Sequence, residues 1–186
     1  MRGGEGDDVV IGGAGADGIF GRAGNDVLLS GVGPGSPLSD AQLIALSEGA
    51  NIDDVLTDND DQELRDDGDA DTLDGGTGDD ILFSGASDSA TGGGGLDAFG
   101  IFAEAAGSEA GPSVIEDYSA ADDVLFIYFQ SDDNPDDAKV TVEDDGDDAI
   151  INLDGEELAR VIGAAGAFAA DDIEFLQMPS ESGTTV

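Results

Sequence analysis

Residues 3–11 read GGEGDDVVI, residues 12–20 GGAGADGIF and residues 21–29 GRAGNDVLL. The shared unit is G-G-x-G-x-D-x-U-x, where U is a large apolar residue, and a short fixed period of this kind marks a repeat architecture. Asp8, Asp17 and Asp26 hold the sixth position, and Val10, Ile19 and Leu28 the eighth. Glycines supply the positive φ angles of a tight curl, with carbonyls aimed at one point. The x-U-x triplet is a very short strand, and alternation turns only U inward. Two units make one flattened coil with a strand on each side and a glycine turn at each end. Turns two repeats apart then stack, and their aspartates and carbonyls enclose a cavity lined by oxygen.

The pattern returns as DDGDADTLD (66–74), GGTGDDILF (75–83) and GGGGLDAFG (92–100). Asp71, Asp80 and Asp97 take the acid position there, and Leu73, Leu82 and Phe99 the apolar one. Degenerate copies lie between. GANIDDVLT (49–57) keeps Asp54 and Leu56. SGASDSAT (84–91) is one residue short but keeps Asp88 and Ala90, and DNDDQELR (58–65) has Gln62 in place of the acid.

Composition narrows the chemistry. The 186 residues include 44 acidic and five basic side chains, a formal charge of −39. Such a charge opposes compaction unless cations offset it, and it disfavours nucleic acid and anionic membrane as partners. There is no Cys and no His. Disulfides, thiolate or imidazole metal sites and His-based catalysis are therefore excluded, and oxygen donors suited to hard cations remain. No stretch is long and apolar enough for a membrane-spanning helix, and Met1-Arg2 leads into glycines with no apolar signal core.

The repeat resembles the RTX family, the hemolysin-type calcium-binding nonapeptide, and the resemblance runs over residues 3–100 with one interruption. It implies a parallel β-roll that binds Ca²⁺. By the family's ligand rule, one turn gives the carbonyls of positions two and four and its aspartate. The turn two repeats on gives carbonyls one and three and its own aspartate. Gly4, Gly6 and Asp8 would then share an ion with Gly21, Ala23 and Asp26. Gly76, Gly78 and Asp80 would share one with Gly92, Gly94 and Asp97. If the degenerate copies are rungs, Gly13, Gly15 and Asp17 face Gly49, Asn51 and Asp54, followed by Asp71 and then Asp88. Gln62 would cost one edge a site between Asp26 and Asp80. The total expected is roughly five to seven ions.

Residues 30–48 leave the repeat. SPLSDAQLIALSEG (36–49) predicts a short helix with Ser39 as N-cap, Gln42 three residues on, a Leu38–Leu43 staple and Gly49 as stop. It either packs Leu43 and Leu46 on the roll or serves a partner. After Phe99, AFGIFA, SVIEDY, DVLFIYF, AKVTVED, DAIINLD, LARVIG and DIEFLQ read as strands, with Asp145-Gly146 as a hairpin turn. The stretch VIEDYSAADDVLFI resembles the segment that opens an antiparallel cap after RTX repeats in secreted exoproteins. Asp117, Asp122 and Asp123 read as a charged turn or as one further ion site. The expected fold is all-β: a calcium-binding β-roll over 1–100 with a helical insertion at about 34–48, an antiparallel cap over 101–178, and a flexible tail at 179–186.

The resemblance implies a secreted module that leaves the cell by type I export and folds on extracellular Ca²⁺. The missing N-terminal signal and the missing Cys agree with that route. An enzyme is disfavoured: there is no His and no G-x-S-x-G, and the acids already sit at repeat positions. A calcium-dependent adhesin or polysaccharide-binding module within a larger protein is the alternative, although a polyanion would need calcium to bridge it to this surface. The repeats begin at Gly3, so the first coil is uncovered unless the rest of a parent protein or a second copy stacks on it.

Overall fold

The apolar eighth position sets the architecture, because a three-residue strand can turn only its middle side chain toward a facing layer. The computed structural model describes residues 1–31, 66–129 and 135–177. Through the repeats the chain alternates between two parallel sheets. Strands β1 (Arg2–Glu5), β3 (Gly18–Ala23), β5 (Thr72–Thr77) and β7 (Ser89–Gly94) lie in the first. Strands β2 (Val9–Ile11), β4 (Val27–Leu29), β6 (Ile81–Ser84) and β8 (Ala98–Phe102) lie in the second. Val10 pairs with Leu28, Leu28 with Leu82 and Leu82 with Phe99. In the first sheet Ile19 pairs with Leu73, and Leu73 with Ala90. These eighth-position residues form one buried cluster between the sheets. Each large one contributes about 1.5–3 kcal/mol by leaving water. The fold is the expected parallel β-roll.

The interruption is handled differently from expectation. Strand β3 bonds directly to β5, and β4 directly to β6. The Asp17 amide donates to Asp71 and the Asp26 amide to Asp80, each across 54 residues. No rung stands between them. The order Asp17–Asp54–Asp71 is thereby corrected, and so is the gap assigned to Gln62 between Asp26 and Asp80. The cause is turn chemistry: DNDDQELR has no glycine and GANIDDVLT only one, too few for the curl that closes a coil. Gly49, Asn51, Asp54, the helix of residues 36–49 and the tail lie outside the described residues.

The roll also continues beyond the repeats. Strand β9 (Ser113–Ile115) pairs in parallel with β7, and β10 (Val124–Phe129) in parallel with β8. Strand β14 (Glu174–Gln177) adds to β10, again in parallel. Only β11 (Val140–Asp145), β12 (Asp148–Leu153) and β13 (Glu156–Val161) run antiparallel, and β13 joins β9 in parallel. The fully antiparallel cap is therefore corrected to a three-stranded meander on an extended roll. Ile115 and Leu125 repeat the inward positions of Ala90 and Phe99, so the apolar alternation carries the sheets past the last glycine turn. The final order is β1-β3-β5-β7-β9-β13-β12-β11 in one sheet and β14-β10-β8-β6-β4-β2 in the other. Edge strand β11 ends on exposed Glu143, Asp144 and Asp145, charges that discourage further pairing.

Candidate metal centre

The turns leading from the first sheet to the second stack along one edge of the roll, and those leading back stack along the other. On the first edge each sixth-position aspartate accepts a backbone N–H from the aspartate one coil below. Asp8 N donates to Asp26 Oδ1 at 2.8 Å, Asp26 N to Asp80 Oδ1 at 2.7 Å, and Asp80 N to Asp97 Oδ1 at 3.0 Å. The opposite edge carries Asp17 N to Asp71 Oδ1 at 2.6 Å and Asp71 N to Asp88 Oδ1 at 2.8 Å. Each carboxylate is thereby fixed by one oxygen, and the second oxygens decide the chemistry. Those of Asp26, Asp71 and Asp80 are buried and have no hydrogen-bond partner. Burying a charged oxygen without a partner is costly, and a cation is the natural complement.

Carbonyls converge on the same places. A methyl group built on Gly75 would lie 2.4 Å from Asp80 Oδ2 and 2.6 Å from the Gly92 carbonyl oxygen. One built on Gly21 would lie 2.4 Å from Asp26 Oδ2 and 2.5 Å from the Gly75 carbonyl oxygen. The first glycine of the unit thus clears space where a carboxylate and the next coil's carbonyl meet. Gly78, at φ +127°, brings its turn so near the coil below that a Cβ would sit 2.0 Å from the Gly24 carbonyl oxygen. Arg22 replaces the second glycine and holds φ +94°, a strain of about 1–3 kcal/mol for a residue with a side chain. Among the described residues no three acidic side chains converge on one point. A site here is therefore built from stacked carboxylates and main-chain carbonyls, an all-oxygen set suited to Ca²⁺.

Burial, reinforced by neighbouring acids, pushes Asp71 up to about 7 and Asp80 up to about 6 from the ordinary 3.8. Asp26, Asp88 and Asp97 are raised for the same primary reason. With folded values above unfolded ones, the metal-free roll binds protons more tightly folded than unfolded. Its stability is greatest below pH 4 and is lost as pH rises through 6 and 7. In chelator, strand ellipticity should therefore grow as pH falls from 8 to 5. A pH-independent spectrum would contradict this account.

Some acids spend both oxygens on the backbone. Asp88 Oδ2 takes the Gly85 amide at 2.7 Å, closing the turn of the shortened copy. Asp117 accepts Gly92 N and Gly93 N, both at 2.9 Å. Asp123 extends the first ladder by accepting Asp97 N at 3.0 Å and also takes Ser119 N at 2.8 Å. Asp117 and Asp123 thus close the last turns of the ladders as a charged turn, and Asp122 receives the Ser119 hydroxyl.

A second file had no place in the sequence reading. Asn25 N donates to Asp7 Oδ1 at 2.8 Å, Asp79 N to Asn25 Oδ1 at 3.0 Å, and Leu96 N to Asp79 Oδ1 at 2.9 Å. It runs opposite to the sixth-position ladder, so each turn is tied in both directions. The signal was available: the fifth position is Asp7, Asn25 and Asp79 on one edge, each a short side chain with an acceptor oxygen.

The described site residues fall into these two files of turns. Gly4, Gly6, Asp8, Gly21, Ala23, Asp26, Gly76, Gly78, Asp80, Gly92, Gly94 and Asp97 belong to the first edge; Gly13, Gly15, Asp17, Asp71 and Asp88 belong to the second. No curated protein matches the chain. A family model, the RTX calcium-binding nonapeptide repeat, matches in four copies over residues 1–34 and 56–89. Over these residues the chain carries the RTX calcium-binding nonapeptide repeat.

Proposed function

We propose that this calcium-binding module stays unfolded inside the cell, leaves by type I export, and folds when extracellular Ca²⁺ joins its stacked turns. The supporting observation is the set of buried, unpartnered oxygens on Asp26, Asp71 and Asp80 within the carboxylate ladders that run along the two edges of the roll. The residues that would hold ions are the rung pairs Asp8–Asp26, Asp26–Asp80, Asp80–Asp97 and Asp17–Asp71, with the turn carbonyls of each pair. At the Asp71–Asp88 step the engagement of both Asp88 oxygens leaves a poorer donor set. Bound calcium supplies positive charge that offsets carboxylate repulsion, so binding free energy becomes folding free energy. Extracellular calcium modules bind at about 10⁻⁴–10⁻³ M, a range that separates cytosol from exterior. We assign the module no reaction: its buried acids are engaged in the ladders. Its partners are Ca²⁺, the export apparatus and the remainder of any larger parent protein.

The assignment is tested by calcium titration of Gly75→Ala and Asp80→Asn. Gly75→Ala fills the space between Asp80 and the Gly92 carbonyl, and Asp80→Asn removes the charge shared by two rung pairs. Both should move the calcium midpoint upward by roughly tenfold or more, since a lost charged ligand costs over 1.4 kcal/mol. Unchanged midpoints in both would defeat the ligand assignment.

A further inference from the structure

The outer surface of the first sheet carries a shallow groove of about 200 Å³, lined by Arg2, Phe20, Arg22, Asp74 and Gly76. Two of the chain's five basic side chains thus meet at one place in a protein of charge −39. The strand register explains how. Arg2 pairs with Phe20 across β1 and β3, and Phe20 with Asp74 across β3 and β5. Arg22 follows Phe20 by two residues, which sets its Cα about 8 Å from that of Arg2 on the diagonal. Both guanidinium groups are therefore within reach of one small anion. The partners of Arg22 on the adjoining strands are Gly4 and Gly76, so no neighbouring side chain screens it.

Three further observations single the groove out. Arg22 keeps φ +94° where other copies of the unit have Gly4, Gly13, Gly76 and Gly93, and strain retained at an exposed side chain points to a use for it. The Arg2 guanidinium lies 5.7 Å from the centre of the Phe20 ring, a cation–π contact that fixes its direction. Among the described residues every ion pair is made by Arg160. Arg2 and Arg22 make none there, although acids outnumber bases 44 to five. We propose that this groove binds a small, hydroxyl-bearing monocarboxylate.

Charge selects the ligand. A carboxylate matches the planar fork of a guanidinium with two parallel hydrogen bonds. Each further negative charge on the ligand meets the repulsion of the whole chain, which sets a monoanion above a phosphate. A long polyanion would have to run on past Asp74 and then Glu116, which takes the Ser89 hydroxyl beside β7. Asp74 is the acidic side chain of the groove, and it accepts a hydrogen bond from a ligand hydroxyl. The half-buried Phe20 lends an apolar edge to the carbon frame. The ligand is held here, not converted.

The test titrates glucuronate into ¹⁵N-labelled protein in saturating calcium and follows the Nε–H signals of Arg2 and Arg22 by NMR. Both should shift and saturate together. Arg2→Gln and Arg22→Gly should each weaken binding roughly tenfold or more, since each removes a charge-assisted pair. Lys139→Gln, which deletes an equal charge from an exposed site elsewhere, should leave it unchanged. Glucose should not bind, and glucose 6-phosphate should bind no more tightly than glucuronate. Lactate separates the two sources of this chemistry: weaker binding than glucuronate selects a sugar acid and equal binding a smaller hydroxy acid, and both uphold the proposal. Undiminished binding in both arginine variants would overturn it, by placing the carboxylate on calcium at the turns. An equal loss in Lys139→Gln would overturn it by reducing the effect to net charge, and so would the absence of any saturable shift in the unaltered protein. Should Arg22→Gly lose its strand signal, Arg2→Gln decides alone.

Discussion

In chelator at pH 8 the chain is expected to give the far-UV circular dichroism of a largely disordered polypeptide, and millimolar calcium to convert it to strand. Magnesium should substitute poorly, because it demands a tighter octahedral shell. Ordering one residue costs about 1–2 kcal/mol of backbone entropy, and a nine-residue repeat buries one to three apolar side chains worth about 1.5–3 kcal/mol each. The apolar core alone cannot offset that difference. Closely stacked carboxylates make matters worse at high pH, where Asp71 and Asp80 must ionise in a buried setting. Equal strand signal in chelator and calcium at pH 8 would show that the acids merely solvate the surface.

The second large effect concerns the C-terminal half. Residues 1–100 alone should give little strand signal in calcium, although they contain every proposed ligand. Truncation there removes β9, β10 and the meander that follows, and with them Ile101, Ile115, Leu125, Ile127, Ile151 and Leu158 from the interior cluster. It also strips Asp117 and Asp123 from the turns they close, leaving the amides of Gly92, Gly93 and Asp97 without acceptors. Solenoids need a terminal unit to cover the last coil. The measurement compares calcium titrations of the truncated and full-length chains. Coincident midpoints with equal signal per repeat would mean that the later strands form an independent domain.

Much of this was legible in the sequence because glycine and aspartate act locally. The period places Asp8 beneath Asp26 and Asp80 beneath Asp97, and it predicts the inward file from Val10 to Phe99. Even the copy at 84–91, one residue short, keeps its rung, because Asp88 closes the turn on Gly85. Strand positions after Phe99 were readable from alternation, and the Asp145-Gly146 hairpin from turn chemistry. Partner choice was not. Whether β9 and β10 extend the roll in parallel or fold back is decided by pairing with β7 and β8, which lie far away in sequence. Nor could spacing reveal that β3 bonds directly to β5 and β4 to β6, since degenerate copies resemble rungs until the missing glycines are weighed. The second apolar cluster, which holds Val27, Leu29 and Phe83, was visible in VVI, VLL and ILF, but the repeat formula counts their flanking residues as free positions.

The step from Asp17 to Asp71 spans 54 residues, as does that from Asp26 to Asp80, where Asp8 to Asp26 spans 18. Both edges take the same detour and resume at the same height. Because every coil of a roll is equivalent to its neighbours under one translation, such a protein has no privileged length. Sequence can be gained between coils, or a coil can decay into something else, while the strands on either side close ranks and keep their alignment. Duplication and loss in a lineage can therefore proceed by whole turns of the roll, and material released from the stack becomes free for another use.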